Sequence, residues 1–362
     1  MSSAATAERF ARIALFTEGD ELYAAMLADI AAADRSIRLE SYIFAADEAG
    51  MPFVEALEAA ASRGLAVEVR IDAIGSYGLF PRALEQRLRA AGVRFQRWRR
   101  FSLREPLRFL HRRNHRKLLV LDERVCWLGG FNIHRECSRR AVGDGRWLDY
   151  HLRIEGPVAR QAAMLFDHDG KLPRGARLRA EDGILLLPNK TRRQRALLHR
   201  VLRQAFARAR RRVLLVTPYF VPDRRTQRSL CAAASRGVEV TVLVPAKSDV
   251  RLAQWASRAA YSRLLAGGVR IVEYQPRVLH AKAFLIDEGL ASVGTANLDY
   301  RSFFINDEIN AFLRDPGFAA VLAARIAGDL AEGREVRLRP WLRRSWLNWI
   351  PEAIGWLARR WL

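Results

Sequence analysis

Two segments of the chain carry the same five residue types at the same spacing. The first, HRKLLVLDERVCWLGGFN at residues 115–132, contains His115, Lys117, Asp122, Gly129 and Asn132. The second, HAKAFLIDEGLASVGTAN at residues 280–297, repeats the pattern with His280, Lys282, Asp287, Gly294 and Asn297. A single His-x-Lys pair would carry little information. Five matched positions in two copies indicate that both segments serve one chemistry.

The spacing within each copy indicates what that chemistry needs. Residues two apart on a strand face the same side, so each His-x-Lys pair places an imidazole beside an ammonium. The glycine allows close backbone approach, and the asparagine contributes an amide donor. Two copies together supply two acid–base groups, two positive charges and several hydrogen-bond donors. Such a site suits a phosphate group.

Other kinds of site fit these residues less well. A lysine two residues from each histidine would repel a metal cation. The sequence has neither the G-x-S-x-G turn of serine hydrolases nor the G-x-x-x-x-G-K-[ST] phosphate loop of nucleotide-dependent enzymes. A purely structural role is plausible for one histidine on a strand, but two matched copies disfavour it.

The two copies lie within a longer repeat. AAASRG occurs at residues 59–64 and again at 232–237, each time between a helical run and an alternating apolar strand. LRAAGVRF (88–95) likewise matches LLAGGVRI (264–271). Each half therefore has the order strand, helix, strand, helix, strand. This order predicts two related α/β halves, with largely parallel mixed sheets flanked by helices, at residues 1–175 and 176–337.

The composition restricts the partners. The 362 residues include 61 Lys plus Arg against 39 Asp plus Glu, a formal net charge of +22. A charge this large predicts a polyanionic partner, either nucleic acid or an anionic membrane surface. Three cysteines without CxxC spacing predict a reducing compartment. The sequence shows no run of membrane-spanning length and no signal peptide, so we expect a body on the cytoplasmic side.

Two segments favour a membrane surface. Residues 97–116 are rich in arginine, and their interleaved apolar residues Trp98, Phe101, Leu107, Phe109 and Leu110 predict a loop that lies on an anionic surface. The C-terminal residues 338–362 carry apolar residues at helical spacing, namely Trp346, Ile350, Ile354, Leu357 and Trp361. Tryptophan and arginine on an amphipathic helix predict a membrane-interface tail, with packing on the protein core as the alternative.

Several segments resemble the phospholipase D superfamily and, within it, the bacterial cardiolipin synthases of the short type without N-terminal membrane helices. They are RNHRKLLVLD, GGFNIHRE, GRWLDYHLRIEGP, TPYFVPD, WASRAAYSRLLAGGVRI and GTANLDYRSFFINDEIN. The resemblance implies one active site at the interface between pseudo-twofold-related halves, phospholipid substrates, and no metal or organic cofactor. His134 and Cys137 stand where the family pattern predicts a glycine and an aromatic residue, and they bear on the preference for the acceptor.

The resemblance also implies residue roles. One motif histidine attacks the phosphodiester and forms a phosphatidyl-histidine, while the other protonates the departing glycerol and then deprotonates the incoming hydroxyl. The symmetry of the motifs leaves the two roles exchangeable, and we take His115 as the nucleophile and His280 as the acid and base. The groups expected to hold the phosphate oxygens are Lys117, Lys282, Asn132 and Asn297.

Four acidic residues complete the expected site. Asp149 and Glu308, each downstream of the motif histidine of its own half, are expected to orient the histidines. The motif aspartates Asp122 and Asp287 belong to the implied catalytic set, although each begins a turn and is expected to act as structural support.

We therefore predict a peripheral enzyme on the cytoplasmic face of the membrane that joins two phosphatidylglycerols into cardiolipin and releases glycerol. The donor could instead be phosphatidylethanolamine, and water could compete as acceptor. One alternative is a phospholipase D-like hydrolase or a nuclease, which the charge favours and the tryptophan-rich tail disfavours. Another is a catalytically silent lipid-binding protein, which the two intact His-x-Lys pairs disfavour.

Overall fold

The computed structural model describes residues 12–98 and 112–359 of the chain. The strands of the first half are β1 (Arg12–Phe16), β2 (Ser36–Ser41), β3 (Ala66–Asp72), β4 (Arg94–Trp98), β5 (Leu118–Leu121), β6 (Val125–Gly129) and β7 (His151–Glu155). They form one sheet in the order β1-β7-β6-β5-β2-β3-β4. The helices are α1 (Gly19–Ala31), α2 (Met51–Ser62), α3 (Arg82–Ala90), α4 (Arg139–Val142) and α5 (Val158–Asp167), with short 3₁₀ turns at Arg135–Cys137 and Gly143–Gly145.

The second half repeats this plan and extends it. Its strands are β8 (Ile184–Pro188), β9 (Arg212–Val216), β10 (Glu239–Pro245), β11 (Arg270–Tyr274), β12 (Ala283–Ile286), β13 (Leu290–Gly294), β14 (Ile309–Leu313) and β15 (Gly333–Val336). The sheet order is β15-β11-β10-β9-β12-β13-β14-β8. The helices are α6 (Arg192–Arg208), α7 (Arg224–Ser235), α8 (Arg251–Arg258), α9 (Tyr261–Ala266), α10 (Tyr300–Phe304), α11 (Pro316–Ala331), α12 (Leu338–Leu342) and α13 (Trp349–Ala358), with a 3₁₀ turn at Trp346–Asn348.

The repeated AAASRG segment forms the same junction in both halves. Its two copies end α2 and α7, and the glycine after each helix, Gly64 or Gly237, has a φ of +89° or +86°. A glycine adopts this left-handed conformation without steric cost, so the chain can leave the helix and enter β3 or β10.

The expected fold class, two α/β halves with mixed sheets and flanking helices, is confirmed, but the parallel share of each sheet is smaller than predicted. Among the strands of the described residues, only β2–β3–β4 and β9–β10–β11 pair in parallel. The strand that follows each His-x-Lys pair turns directly into the next strand, β5 into β6 and β12 into β13. A connection of three residues permits only antiparallel pairing, because parallel neighbours need a long crossover.

The two sheets share one apolar core. A buried cluster joins Leu128 and Leu152 of the first sheet to Leu285 and Val293 of the second, together with residues of α5 and α11. Each sheet also buries its other face beneath the helices of its own half. The apolar cluster there includes Phe53 in the first half and Phe206 in the second. The halves are therefore packed into one body, with the motif strands next to the shared core.

Candidate active site

Each motif histidine contacts a carboxylate from the opposite half. His115 Nδ1 lies 3.0 Å from Glu308 Oε2, and His280 Nδ1 lies 2.6 Å from Asp149 Oδ2. All four side chains are buried. At His115 the carboxylate favours the tautomer with the proton on Nδ1, which leaves the lone pair of Nε2 for a substrate.

Short backbone pairings between the halves produce this crossed arrangement. The amide of His115 donates to the carbonyl of Asp307 at 2.9 Å, which places the next residue, Glu308, beside the imidazole. In the matching pairing, the amide of His280 donates to the carbonyl of Leu148 at 2.7 Å, and Asp149 follows. The backbone thus fixes which acid meets which histidine.

The two acids are supported differently. Glu308 accepts hydrogen bonds from the hydroxyl of Thr295 at 2.6 Å and from that of Ser302 at 3.0 Å. Asp149 accepts the amide N–H of Tyr150 at 2.8 Å and lies against Gly130, where an added Cβ would stand 1.9 Å from Asp149 Oδ1. Gly130 and Thr295 occupy equivalent positions in GGFN and GTAN. The first half therefore uses the missing side chain to admit its carboxylate, whereas the second half uses a hydroxyl to hold it.

The motif lysines lie next to the histidines in sequence and in space. Lys117 Nζ donates to the carbonyl of His115 at 2.8 Å. Lys282 Nζ donates to the carbonyl of His280, lies 2.7 Å from His280 Nδ1 and lies 3.6 Å from Asp149 Oδ2. The contact with Nδ1 has no counterpart between the side chains of Lys117 and His115 in the described contacts, so the two otherwise matched triads differ here.

Burial dominates the electrostatics of the site. It lowers the pKa of Lys117 to about 7, with repulsion from Lys282 as the next cause. Burial also lowers the pKa of Lys282, of His115 and, further, of His280. Both imidazoles are therefore neutral at pH 7. A phosphate anion among these groups would favour the charged form of each lysine, because opposite charges attract strongly away from water.

Both histidines line one cavity of about 320 Å³. Asn132 and Asn297 line it too, as expected from the motif. The Asn132 Oδ1 accepts the N–H of Ile43 at 3.0 Å, so its amide nitrogen is available to a ligand. The Asn297 Oδ1 is buried without a hydrogen-bond partner in the part of the chain that the structure describes. The cavity thus brings together two histidines and two asparagines, with the lysines behind them, which suits a phosphodiester.

Known proteins are similar to this chain over most of its length. A family model described as "Cardiolipin synthase, PLD-like domain" matches residues 26–142 and 202–330. Cardiolipin synthase A of Escherichia coli O1:K1 / APEC is 32% identical over 359 residues, which cover 95% of this chain and 74% of that protein. The protein of the same name from strain K12 / DH10B gives the same values. The chain belongs to the cardiolipin synthase family.

Solved structures support the fold of this cardiolipin synthase family member. A phosphatidylserine synthase from Haemophilus influenzae Rd KW20 superposes with a TM-score of 0.71 at 16% identity, covering 96% of this chain and 92% of that one. A polyphosphate kinase from Porphyromonas gingivalis gives 0.64 at 18% identity, over 91% of this chain and 49% of its own. At such low identities the likeness concerns the fold alone.

The motif aspartates do not line the cavity, and their part in the reaction stays a prediction. Asp122 accepts hydrogen bonds from the backbone amides of residues 34–36, at 2.8 to 2.9 Å. Asp287 does the same for residues 210–212, at 2.8 to 3.2 Å. Both have a φ of +54° and begin the turn after the motif strand. Their hydrogen bonds hold that turn against the start of β2 or β9. The length of β5 or β12 separates each aspartate from the histidine of its motif.

Three aromatic side chains, to which the sequence pattern gives no role, surround the histidines. The Tyr42 ring lies 5.0 Å from that of His115, and Tyr219 lies 6.4 Å from His280, both edge-on. Trp147 lies 5.1 Å from His280. The repeat contained a signal for the tyrosines, because both follow the corresponding strands β2 and β9 in SYIF and PYF. Together these rings restrict the mobility of both imidazoles.

The two departures from the family pattern lie behind this aromatic layer. His134 Nδ1 is 2.6 Å from Glu136 Oε2, and His134 Nε2 is 3.3 Å from Cys137 Sγ. Burial opposes protonation of His134, but Cys137 and Glu136 outweigh it and raise its pKa to about 10. The His134 ring lies edge-on to Trp147 at 5.2 Å. Neither His134 nor Cys137 is among the described residues that line the cavity, and the contact with Trp147 connects His134 to that lining.

Parts of the predicted membrane-facing surface can be located. Most of the arginine-rich segment, including Phe101, Leu107, Phe109 and Leu110, falls outside the described residues, as does Trp361. Within residues 12–98 and 112–359, no helix is long and apolar enough to span a bilayer. The same ranges contain no group of three His, Cys, Asp or Glu side chains placed to hold a metal ion.

Proposed function

We propose that this protein transfers a phosphatidyl group between phospholipids, and that its main reaction joins two phosphatidylglycerols into cardiolipin and glycerol. The observation that carries the proposal is the pair of buried imidazoles in one cavity, each with Nδ1 on a carboxylate of the opposite half. Transfer through a covalent intermediate needs two such groups, one to bond phosphorus and one to move the proton.

In the first step, His115 Nε2 attacks the phosphorus of the donor lipid while the bond from phosphorus to the headgroup glycerol breaks. His115 suits the nucleophile because Glu308, itself fixed by two hydroxyl donors, is the described polar contact of its Nδ1. The proton held at Nδ1 leaves the lone pair on Nε2. The product of this step is a phosphatidyl-histidine.

His280 supplies the proton to the departing glycerol oxygen from Nε2. Before this step the proton is on Nε2, and Nδ1 accepts a hydrogen bond from the Lys282 ammonium, 2.7 Å away. As Nε2 releases its proton, Lys282 gives one to Nδ1, so the ring stays neutral and the new Nδ1–H donates to Asp149. In the second step, the hydroxyl of another phosphatidylglycerol gives its proton to His280 Nε2, His280 Nδ1 returns its proton to Lys282, and the hydroxyl oxygen attacks phosphorus. The bond to His115 breaks and cardiolipin leaves.

Hydrogen-bond donors around the phosphate, two of them charged, stabilise the five-coordinate transition state. Lys117, Lys282, Asn132 and Asn297 are the donors that we assign to the non-bridging oxygens. They act in a buried site, where such donors contribute more than in water. Water could replace the second lipid as the acceptor in this scheme. The donor of the phosphatidyl group could be phosphatidylethanolamine.

We also propose that the protein binds the cytoplasmic face of an anionic membrane through its C-terminal residues. Trp346, Ile350, Ile354 and Leu357, here called the tail patch, are between 49% and 76% exposed. The opposite face of α13 packs on α8, where an added Cβ at Gly355 would stand 2.4 Å from the nitrogen of Ala256. Exposed aromatic and aliphatic residues on one helix face suit a membrane interface.

The position of α8 supports a membrane-bound orientation in which the tail patch faces the bilayer. Ala253 of α8 and the preceding Val250 line the catalytic cavity, while Trp255 and Ala256 hold α13. The tail patch therefore lies one helix away from the cavity wall. On this basis we propose residues 1–175 and 176–337 as the two halves and residues 338–362 as the membrane-binding tail.

The function is tested with the purified full chain and vesicles that contain phosphatidylglycerol labelled in one acyl chain. We expect label to enter cardiolipin with release of glycerol, and we expect the His115→Ala variant to lose this activity. Plasmid DNA is incubated in parallel. Label that stays in phosphatidylglycerol while the DNA is cut would overturn the transferase proposal in favour of a nuclease.

A further inference from the structure

A second, apolar cavity adjoins the catalytic one. It has a volume of about 180 Å³ and lies between the start of α7, helix α10 and helix α13. Its apolar lining consists of Val221, Pro222, Tyr300, Phe303, Phe304 and Trp356. None of these residues belongs to the motifs that build the phosphate site.

Of the four polar residues of this lining, Asp223, Asp299 and Arg359 have other contacts for their polar groups, and the fourth, Arg224, is exposed. Asp223 and Asp299 cap α7 and α10, where they accept the backbone N–H groups of Thr226 and Ser302. The Arg359 guanidinium stacks on the ring of Trp356, with Cζ 4.1 Å from the ring centroid, and donates to the carbonyl of the same residue. The space is therefore apolar in its effect on a ligand. An apolar cavity of roughly 150 Å³ is large enough to bind an apolar guest such as benzene.

Helix α10 separates the two cavities. Asp299, at its start, lines both, and Arg301 faces the catalytic cavity, whereas Tyr300, Phe303 and Phe304 face the apolar one. The Ser302 hydroxyl donates to Glu308 at 3.0 Å, and Glu308 holds His115. A ligand that spans both cavities would thus have a charged end at the histidines and an apolar end one helical turn away.

We propose that the apolar cavity binds one acyl chain of the phospholipid whose phosphate occupies the catalytic cavity. The proposal rests on the proposed function, because a phosphatidyl group is a ligand with these two ends. Helix α13 supports it further: Trp356 lines the apolar cavity, while its neighbour Leu357 belongs to the tail patch and is 76% exposed. An acyl chain that leaves the bilayer beside the tail patch would enter the apolar cavity directly beneath α13.

The first test is the dependence of activity on chain length. Dioctanoyl and dipalmitoyl phosphatidylglycerol are compared in detergent micelles with the wild-type chain, with Phe304→Trp, which fills the cavity, and with Phe304→Ala, which enlarges it. We expect Phe304→Trp to lower the ratio of kcat/KM for long over short chains by roughly tenfold, about the loss of two buried methylenes. Phe304→Ala should leave the ratio unchanged or raise it.

Leu357→Trp is the matched control, because it adds the same indole on the exposed face of α13, outside the cavity lining. We expect it to keep the wild-type ratio. An equal change of the ratio in both tryptophan variants, or no change in either, would overturn the acyl-chain site. If Phe304→Trp fails to fold, the second test still decides.

The second test uses the wild-type chain and phosphatidylglycerol with a photoactivatable diazirine near the end of one acyl chain. We expect the cross-linked peptides to contain residues 299–304 and Trp356. Label confined to the tail patch would overturn the site while leaving the transferase function intact. Label at residues 299–304 without any formation of cardiolipin would support the site and refute the proposed reaction.

Discussion

Asp149 from the first half holds the imidazole of His280 from the second half, with 2.6 Å between Oδ2 and Nδ1. The reciprocal pair, Glu308 with His115, crosses in the opposite direction at 3.0 Å. Each His–acid pair therefore exists only when both halves are folded and packed together. Duplication of the motif produced one site with two centres, and neither half contains a complete pair.

The crossed pairs predict different defects for the two acids. Glu308→Gln should slow the formation of the phosphatidyl-histidine, because it removes the carboxylate that orients the nucleophile His115. Asp149→Asn should impair proton transfer by His280. With phosphatidylglycerol, we expect either change to lower kcat by about 10²- to 10⁴-fold, the range for a lost general acid or base.

An activated donor distinguishes the two variants. Phosphatidyl-p-nitrophenol has a leaving group that needs no proton, so Asp149→Asn should still release p-nitrophenol in a burst and accumulate a phosphohistidine. Glu308→Gln should show neither. Rapid-quench measurement and mass spectrometry of the labelled peptide check this, and a phosphohistidine at residue 280 would reverse the roles that we assign.

The pKa directions predict a bell-shaped pH profile for kcat/KM. Burial lowers the pKa of His115 below its usual 6.5, so the nucleophile becomes protonated, and activity falls, only in acid below that value. Lys117 has a pKa of about 7 in the free enzyme, so it loses its charge, and its hold on phosphate, as the pH rises above 7. The maximum should therefore lie near neutral pH.

Lys117→Arg is the control for the alkaline limb. Arginine stays charged throughout the range, so this variant should show a lower maximum but an alkaline limb displaced to higher pH. The profile of kcat should also extend further into alkali than that of kcat/KM, since bound phosphate stabilises the charged lysine. An unmoved limb in Lys117→Arg would assign the alkaline titration to another group.

The histidines, lysines, asparagines and orienting acids could all be named from the sequence because the motif occurs twice. The pairing between acids and histidines could not. It depends on the backbone contacts of His115 with Asp307 and of His280 with Leu148, which join segments far apart in the chain. Spacing along a sequence contains no information on which half supplies the partner.

The sheets and the aromatic residues show the same limit. Alternating apolar residues predicted the strands, but the direction of β5 and β12 is decided by the short turns at Asp122 and Asp287. Tyr42 and Tyr219 are visible as a repeated feature, yet only the folded chain places their rings beside the histidines. Helical spacing predicted one apolar face that consists of the tail patch and Trp361. The four residues of the tail patch are exposed, and Trp361 lies outside the described residues.

The motif aspartate Asp122 should affect stability rather than chemistry. Burial acts against its ionisation, but the backbone amides of residues 34–36 outweigh burial and lower its pKa. The stabilisation is therefore present above the usual carboxyl pKa and is lost as the pH falls through the lowered value. We expect Asp122→Ala to reduce the free energy of unfolding by about 1–3 kcal/mol at neutral pH, the range for buried or charged hydrogen bonds.

Asp122→Asn is the matched variant, because asparagine also tolerates the positive φ of this position. It should lose less stability than Asp122→Ala. Urea unfolding and kcat per folded molecule are measured for both variants, with kcat expected to remain at the wild-type level. A large fall in kcat at unchanged stability would place Asp122 in the reaction after all.

The tail patch predicts membrane binding that can be separated from catalysis. Ile350→Glu with Leu357→Glu should sharply reduce flotation with anionic vesicles, because both changes place charge on the apolar face. Activity on soluble dioctanoyl substrate should stay near that of the wild type. Point changes are preferable to deletion of residues 338–362, since Trp341 in that segment is buried against Tyr261. Undiminished flotation would refute the tail as the membrane-binding element.

Gly130 provides a test of the crossed geometry from the backbone side. An added Cβ would stand 1.9 Å from Asp149 Oδ1, so Gly130→Ala must displace the carboxylate that holds His280. We expect kcat to fall to the level of Asp149→Asn, with the p-nitrophenol burst retained, although Gly130 does not line the cavity. Gly145→Ala is the matched control, because an added Cβ there meets no other atom. Wild-type kcat in Gly130→Ala would mean that His280 does not require Asp149 in this position.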